Sequence, residues 1–193
     1  LKDCPTETTL QVSQTILDET KKTITSNKKN ILIAPAASGD TTMWSSTYFI
    51  KLMKKLDAKF NCFFIIAVDS SEREKKIANE IIQSFDKNKT MSLSNKTISQ
   101  AMPIISCCSV SICNDTSFQH LSCGLNVPTI ILRFDTPDAY SSYSKFQSNF
   151  AKNVSSKIEA AESLLYKTKN TLAGFVSDDT DHVSPSYLLS LIT

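Results

Sequence analysis

The sequence predicts an α/β chain built on an open parallel sheet with helices on both faces, and three observations predict it. Four short apolar runs, Ile31-Leu32-Ile33-Ala34, Cys62-Phe63-Phe64-Ile65-Ile66-Ala67-Val68, Ser109-Val110-Ser111-Ile112-Cys113 and Val127-Pro128-Thr129-Ile130-Ile131-Leu132, are too continuous for strands with one wet face. Between them lie segments whose apolar residues recur every three or four positions, the mark of amphipathic helices. Strand alternating with helix is the signature of βαβ units, whose parallel strands need a crossover.

Taken in order, residues 9–26 place Leu10, Val12, Ile16, Leu17 and Ile24 at helical spacing. The first strand follows at 30–34 and is stopped by Pro35. After a polar loop, Ser45 or Ser46 caps a helix whose Tyr48, Phe49, Leu52, Met53 and Leu56 form one face. The second strand spans 62–68, and Ser70 or Ser71 opens a helix through Ile77, Ala78, Ile81, Ile82 and Phe85. Met91-Ser92-Leu93 reads as a brief strand, and 97–107 as a helix in which Pro103 sits near the first turn or makes a kink. A strand at 109–113, a helix over about 116–125 that stops at Gly124 or Asn126, and a strand at 128–132 complete the pattern. The strands near 31–34, 62–68, 109–113 and 128–132 are expected at the centre of the sheet. Residues 145–181 read as the least regular part, before a final helix from Ser184-Pro185 that packs back on the domain. With no repeat and no dividing linker, the expectation is one domain over 1–193, with a core at about 30–145 and a C-terminal extension at 146–193.

Composition narrows the function. The net charge of +2 comes from 21 basic and 19 acidic residues, and only Arg73 and Arg133 are arginine, which argues against a nucleic-acid surface. No apolar run approaches the roughly 20 residues of a membrane span, and Leu1-Lys2-Asp3-Cys4-Pro5 has no secretory core, so a cytoplasmic chain is expected. Four of the six cysteines fall inside apolar patterns and read as reduced, buried groups. Adjacent Cys107-Cys108 and two histidines do not make metal-ligand spacing, so no metal site is expected.

In open parallel sheets, ligands bind outside the carboxyl ends of the strands. Here the loops there are 35–44, 69–71, 94–97, 114–118 and 133–143, several of them rich in Ser, Thr and Asp. The best anion site is the helix start after the 109–113 strand, where Thr116, Ser117 and Phe118 present N–H groups with the positive end of the helix dipole behind them.

The residues of that segment, Asn114-Asp115-Thr116-Ser117-Phe118-Gln119-His120 followed by Leu121-Ser122-Cys123-Gly124-Leu125-Asn126-Val127-Pro128-Thr129, resemble the N-D-[ST]-G-x-x-H-x-A-x-A-L-G-V-P-[TV] stretch of glycosyltransferase family 9, the heptosyltransferases. Ala34-Pro35-Ala36-Ala37-Ser38-Gly39 with Trp44 is similar to the family's P-G-A-S…K-R-W-P loop, and Leu93-Ser94-Asn95-Lys96-Thr97-Ile98 to its L-x-G-K-T-[ST]-L segment. Asp135-Thr136-Pro137 with Tyr140 to Tyr143 resembles its F-G-x-T-x-P…S-P-Y region. The resemblance covers roughly residues 30–145 and implies the Rossmann-like C-terminal half of a GT-B fold. That half binds the nucleotide of the donor sugar, while a preceding domain, absent from this chain, binds a glycan or glycolipid acceptor and carries the catalytic base.

The resemblance implies a nucleotide-sugar donor, ADP-heptose-like or another nucleoside diphosphate sugar, held by Ser38, Gly39, Thr41, Thr42, Glu72, Lys96, Thr97, Asp115, Thr116, Ser117, Phe118 and His120. It implies transfer without metal or cofactor, lipopolysaccharide or a related envelope glycan as acceptor, and a place at the inner face of the inner membrane. Each residue also has a plainer reading: Asp115 or Thr116 as a helix cap, His120 as a core histidine, Lys96-Thr97 as a solvated helix start, Glu72 as a first-turn acid favoured by the dipole, and Trp44 as a loop anchor.

The departures from the family bear on affinity. Thr42-Met43 stand where a basic pair precedes Trp44, Ser117 and Asn95 replace glycines, and Ala67-Val68 occupy a turn that is usually glycine-rich. Weak donor binding is expected, with Lys96 or Arg133 as compensating charges. The rival readings are a non-catalytic module that keeps the fold, and another GT-B enzyme such as a nucleotide-sugar epimerase.

Overall fold

The computed structural model describes residues 9–24, 27–37 and 43–132. The element order is α1 (Gln14–Thr23), β1 (Lys29–Ala34), α2 (Ser46–Phe60), β2 (Cys62–Ile66), α3 (Glu72–Gln83), a 3-10 turn at Lys87–Lys89, β3 (Thr90–Ser92), α4 (Ile98–Ser106), β4 (Val110–Asn114), α5 (Ser117–Gly124) and β5 (Thr129–Leu132). All strand pairs are parallel, in the order β3-β2-β1-β4-β5.

The period-two alternation of side chains divides each strand between two cores. Ile31 and Ile33 of β1, Phe64 and Ile66 of β2, and Ile112 of β4 face Phe49, Leu52, Met53 and Leu56 of α2 with Ala78 and Ile81 of α3. Leu32, Ala34, Ile65 and Cys113 face the other way, onto Ala101, Ile104 and Ile105 of α4 and Phe118 and Leu121 of α5. The expectation that the apolar runs need cover on both faces is met: β4 and β5 are buried along their whole length. Each fully buried aliphatic or aromatic side chain contributes about 1.5–3 kcal/mol, so these two layers supply most of the favourable term.

The structure departs from the expected boundaries in ways that have local causes. The first helix begins at Gln14 rather than residue 9, because Ser13 caps it by accepting from the Ile16 N–H. The chain before it runs extended across the molecule: Leu10 N donates to Gly124 O at 2.7 Å. A Cβ on Gly124 would lie 3.0 Å from Leu10 Cγ and Cδ1, so this glycine makes room for that crossing. α2 ends at Asn61, whose φ of 51° turns the chain directly into β2. Strand β2 stops at Ile66, and Ala67 keeps a single link to β1, donating to Ile33 O. β3 and β4 are each displaced by a residue from the expected runs.

Pro103 lies in the second turn of α4, not the first, and is buried; the carbonyl that its missing N–H leaves unpaired belongs to exposed Ser99. α5 ends at Gly124, and Asn126 takes the left-handed conformation, φ 63°, that turns the chain into β5. Strands β1, β2 and β4 are central, whereas β5 lies at the margin of the described sheet, because it pairs with β4 alone among the described strands. The readings at 145–181 and of a terminal helix fall outside the described residues.

The five described cysteines, 62, 107, 108, 113 and 123, are free. Burial pushes the Cys62 thiol up to about 11 and raises the others, so they are packing groups with little thiolate character. No helix among the described residues is long and apolar enough to cross a membrane.

At the amino end of the sheet, Asp57 of α2 accepts from Lys89 Nζ at 2.7 Å and from the Cys62 N–H at 3.1 Å, tying α2 to the edge that carries β3. Burial pushes its carboxyl up, but the hydrogen bonds from Lys89 and Cys62 and the charges of Lys89 and Lys28 outweigh it and hold the group below its ordinary 3.8. A carboxylate depressed by folding adds stability that is present above its unfolded value and lost as pH falls through the folded one. Asp57→Asn is therefore expected to lower the urea midpoint at pH 7 and to lower it less at an acid pH below the carboxyl's ordinary 3.8, because the carboxylate's contribution is lost as pH falls toward its depressed folded value. Denaturation curves at the two pH values check this; a deficit of the same size in acid would assign the effect to packing.

Candidate functional site

The strand order changes direction between β1 and β4. The connection after β1 leads by α2 to β2 on one side, and that after β4 leads by α5 to β5 on the other, with the two helices on opposite faces. Their loops part at the carboxyl ends of the two strands and leave a crevice, the place where open α/β sheets receive ligands.

One side chain organises that crevice. Register pairs Ala34 with Cys113, which puts Pro35 beside Asn114 at the end of β4. The Asn114 carboxamide is fully buried. Its Nδ2 donates to Pro35 O at 2.7 Å and to Trp44 O at 3.3 Å, and its Oδ1 accepts from Trp44 N at 3.0 Å. It thereby ties together both ends of the loop after β1, a task that requires donor and acceptor in one side chain. Trp44, itself 1% exposed, stacks on Tyr48 with ring centroids 5.5 Å apart and meets Phe49 edge-on at 4.9 Å. Its role is that of the loop's anchor.

The helix starts around the crevice differ from the rest. Ser13, Ser71, Thr97 and Asp86 cap α1, α3, α4 and the 3-10 turn with their side chains. Ser45 at α2 and Thr116 at α5 make no such bond. These two helices open on the same crevice, and at α5 the Thr116 side chain gives the first turn no hydrogen bond. An anion is the natural partner of such a terminus.

The structure places the expected residues unevenly. Asp115, Thr116 and Ser117 stand at the mouth, Asp115 and Thr116 partly buried and Ser117 exposed. Phe118 instead packs into the core between the sheet, α4 and α5, so its side chain is structural and only its N–H faces the terminus. His120 is half-buried one turn into α5. Thr97 is committed to a capping box, accepting from Gln100 N while the Gln100 carboxamide accepts from Thr97 N. Lys96 is exposed at the end of β3, with β2 and β1 between it and α5. Glu72 is exposed in the first turn of α3 and pairs with Lys75 at 3.0 Å. Ser38, Gly39, Thr41 and Thr42, and the suggested compensating Arg133, lie outside the described residues.

Two residues escaped assignment from the sequence. Asn114 was visible in its motif, but nothing in a linear pattern shows that a strand-end carboxamide reaches a loop that is 70 or more residues away. Arg73, in the first turn of α3, donates from Nη1 to Ala37 O at 3.0 Å and directs Nη2 to Met43 Sδ at 3.6 Å. The guanidinium thus meets the side chain at the very position where the sequence suggested a charge had been lost. Around it, Ser71 hydrogen bonds hold the Asp69 carboxyl below its ordinary value, with Arg73 assisting, while burial raises that of Glu74.

A model of glycosyltransferase family 9 (heptosyltransferase) matches residues 2–169. The chain belongs to glycosyltransferase family 9. It is 28% identical over 113 residues to a candidate glycosyltransferase of Haemophilus influenzae, a match that covers 55% of this chain and 31% of that protein. Its fold is similar to that of E. coli ADP-heptose lipopolysaccharide heptosyltransferase II, with a TM-score of 0.67 and 19% identity over 99% of this chain and 55% of the other. It is likewise similar to E. coli heptosyltransferase WaaC with ADP-2-deoxy-2-fluoro heptose, with a TM-score of 0.61 and 13% identity over 95% of this chain and 49% of the other. The chain thus spans about a third of the curated relative and about half of each solved enzyme.

Removing the Asn114 carboxamide leaves a buried N–H and two carbonyls unpaired, at about 1–3 kcal/mol for each group not rescued by water. Asn114→Ala is expected to cost on the order of 3 kcal/mol of stability and to expose the chain's single tryptophan. Urea unfolding followed by Trp44 emission measures both; a loss under about 1 kcal/mol would show that the loop is held by other means.

Proposed function

We propose that this chain is the donor-binding half of a glycosyltransferase that moves a sugar, heptose-like, from a nucleoside diphosphate to lipopolysaccharide or a related envelope glycan. The observation that carries the reading is the pair of helix starts, α2 and α5, that open on one crevice without side-chain caps while the other described helices are capped. A diphosphate there gains charge-assisted hydrogen bonds and the favourable end of two helix dipoles. The same arrangement favours the reaction, because negative charge grows on the diphosphate as the sugar leaves and the N–H groups are already oriented toward it. Membership of family 9 and the ADP-sugar analogue carried by a structurally similar enzyme agree with a donor of this class.

In this reading Glu72 meets the ribose hydroxyls from α3, His120 and Ser117 border the donor from α5, and Lys96 and Thr97 lie toward the nucleoside side. Ser38, Gly39, Thr41 and Thr42 close from the loop after β1. The whole of residues 1–193 forms one domain, the acceptor and the catalytic base belong to a partner domain, and the assembled enzyme works without metal at the inner face of the membrane. The second reading, a non-catalytic module, is favoured by Thr42 and Met43 in place of a basic pair.

Titration of the chain with ADP and with UDP, followed by backbone amide shifts and Trp44 emission, tests the proposal. Shifts centred on residues 115–118 and on Met43 and Trp44 are expected, with a dissociation constant on the order of a millimolar, about 4 kcal/mol of binding. If saturating nucleotide moves neither group, the donor reading is wrong and the non-catalytic module is the better account.

A further inference from the structure

The amino end of the sheet, away from the crevice, carries a cleft of its own. It has a volume of about 390 Å³ and lies between the start of β1 and the ends of α1 and α4. Lys21 lines it from the last turn of α1, Lys28 and Asn30 from the start of β1, and Ser106, Cys107 and Ser109 from the end of α4 and the turn into β4. No carboxylate lines it. The carboxylate whose charge meets Lys28, that of Asp57, is already held by Lys89 at 2.7 Å, and Lys28 Nζ itself has only a long contact, 3.4 Å, to Asn88 O. Two helix ends oppose the lysines, because the carboxyl terminus of a helix carries about half a negative charge, so the cleft keeps a net charge of roughly +1. The carbonyls at the end of α4 are also occupied: Ile104 O and Ile105 O accept from the Cys107 and Cys108 N–H groups, and Cys107 O accepts from Asn30 Nδ2 at 3.2 Å. Asn30 Oδ1, buried beside the cleft, has no hydrogen-bond partner among the described residues, so a hydroxyl that reaches it relieves an unpaired acceptor.

We propose that this cleft binds a phosphate group with a hydroxyl beside it, as a sugar phosphate or the headgroup of a glycerophospholipid presents, with Lys21 and Lys28 on the phosphate and Asn30 on the hydroxyl. The loops at the carboxyl end of the sheet take no part in it, so the site stands apart from the donor-binding reading. Lysine suits a phosphate met from two separate segments, since each ammonium acts as a point charge and needs no fixed fork. Lys21 is exposed and Lys28 partly buried, so their attraction is screened by salt and the complex is a weak one.

The test titrates the chain with glycerol 3-phosphate, against glycerol and against sodium chloride of equal ionic strength, and follows the amides of Lys28, Asn30, Cys107 and Ser109. Saturable shifts are expected there, with a dissociation constant on the order of a few millimolar that rises about tenfold in the double variant Lys21→Gln, Lys28→Gln. A second measurement needs no variant: glycerol 3-phosphate, and not glycerol, is expected to slow alkylation of the half-buried Cys107 thiol by iodoacetamide. Sedimentation with phosphatidylglycerol and with phosphatidylcholine vesicles separates the two sources of the phosphate. Pelleting with phosphatidylglycerol alone, lost in the double variant, assigns a lipid headgroup; binding of the soluble ester by a chain that stays in the supernatant assigns a free sugar phosphate. Equal shifts with glycerol or salt, equal affinity in the double variant, or an unprotected Cys107 overturns the inference. The donor reading is judged separately, by ADP at residues 115–118 and Trp44.

Discussion

The fully buried carboxamide of Asn114 is the interaction on which the rest of the crevice depends. A polar group in that position is tolerated only if it is hydrogen-bonded, and its partners are backbone groups at both ends of one loop. The requirement runs in both directions. The loop's N–H and carbonyls, which leave the ladder at Ala34, need partners in an interior without water, and the carboxamide supplies them. β4 can therefore end, and α5 begin, beside a loop already fixed at its flanks.

The hydrogen-bonded ties and the proposed donor-binding site lie at opposite ends of the sheet. At the amino end, Asp57 is held by Lys89 and the Cys62 amide, and Asn30 Nδ2 donates to Cys107 O. At the carboxyl end, two helices begin without a hydrogen bond from the side chain of their cap residue. Four caps elsewhere show that the chain has Ser, Thr and Asp to spare for this purpose. An uncapped start forgoes about 1 kcal/mol of helix stability, a cost that two well-packed layers offset and that a bound anion would recover.

The scarcity of glycine takes on a different meaning in three dimensions. Ser117, in a position that resembles a family glycine, has ordinary helical conformation, and the positive φ values of the described residues fall at Asn61 and Asn126. No glycine is needed there for the backbone; what serine changes is the space and polarity in front of the helix. Gly124, by contrast, is used for packing, under Leu10.

The sequence by itself determined the layer architecture, the alternation of strand and helix, and the helix start at Ser71, because these depend on apolar periodicity and on side chains that act within a few residues of themselves. It also determined the family, through three ordered segments whose spacing survives substitution. Only the tertiary structure decided the strand order, the placing of β5 at the described margin, the commitment of Phe118 and Thr97 to packing and capping, and the roles of Asn114 and Arg73. Those two side chains act on backbone atoms 36 to 79 residues away. A carboxamide or a guanidinium carries no sign in the linear chain of which loop it will meet, since the strand order of the sheet sets that meeting, and strand order is a consequence of long-range pairing rather than of local pattern.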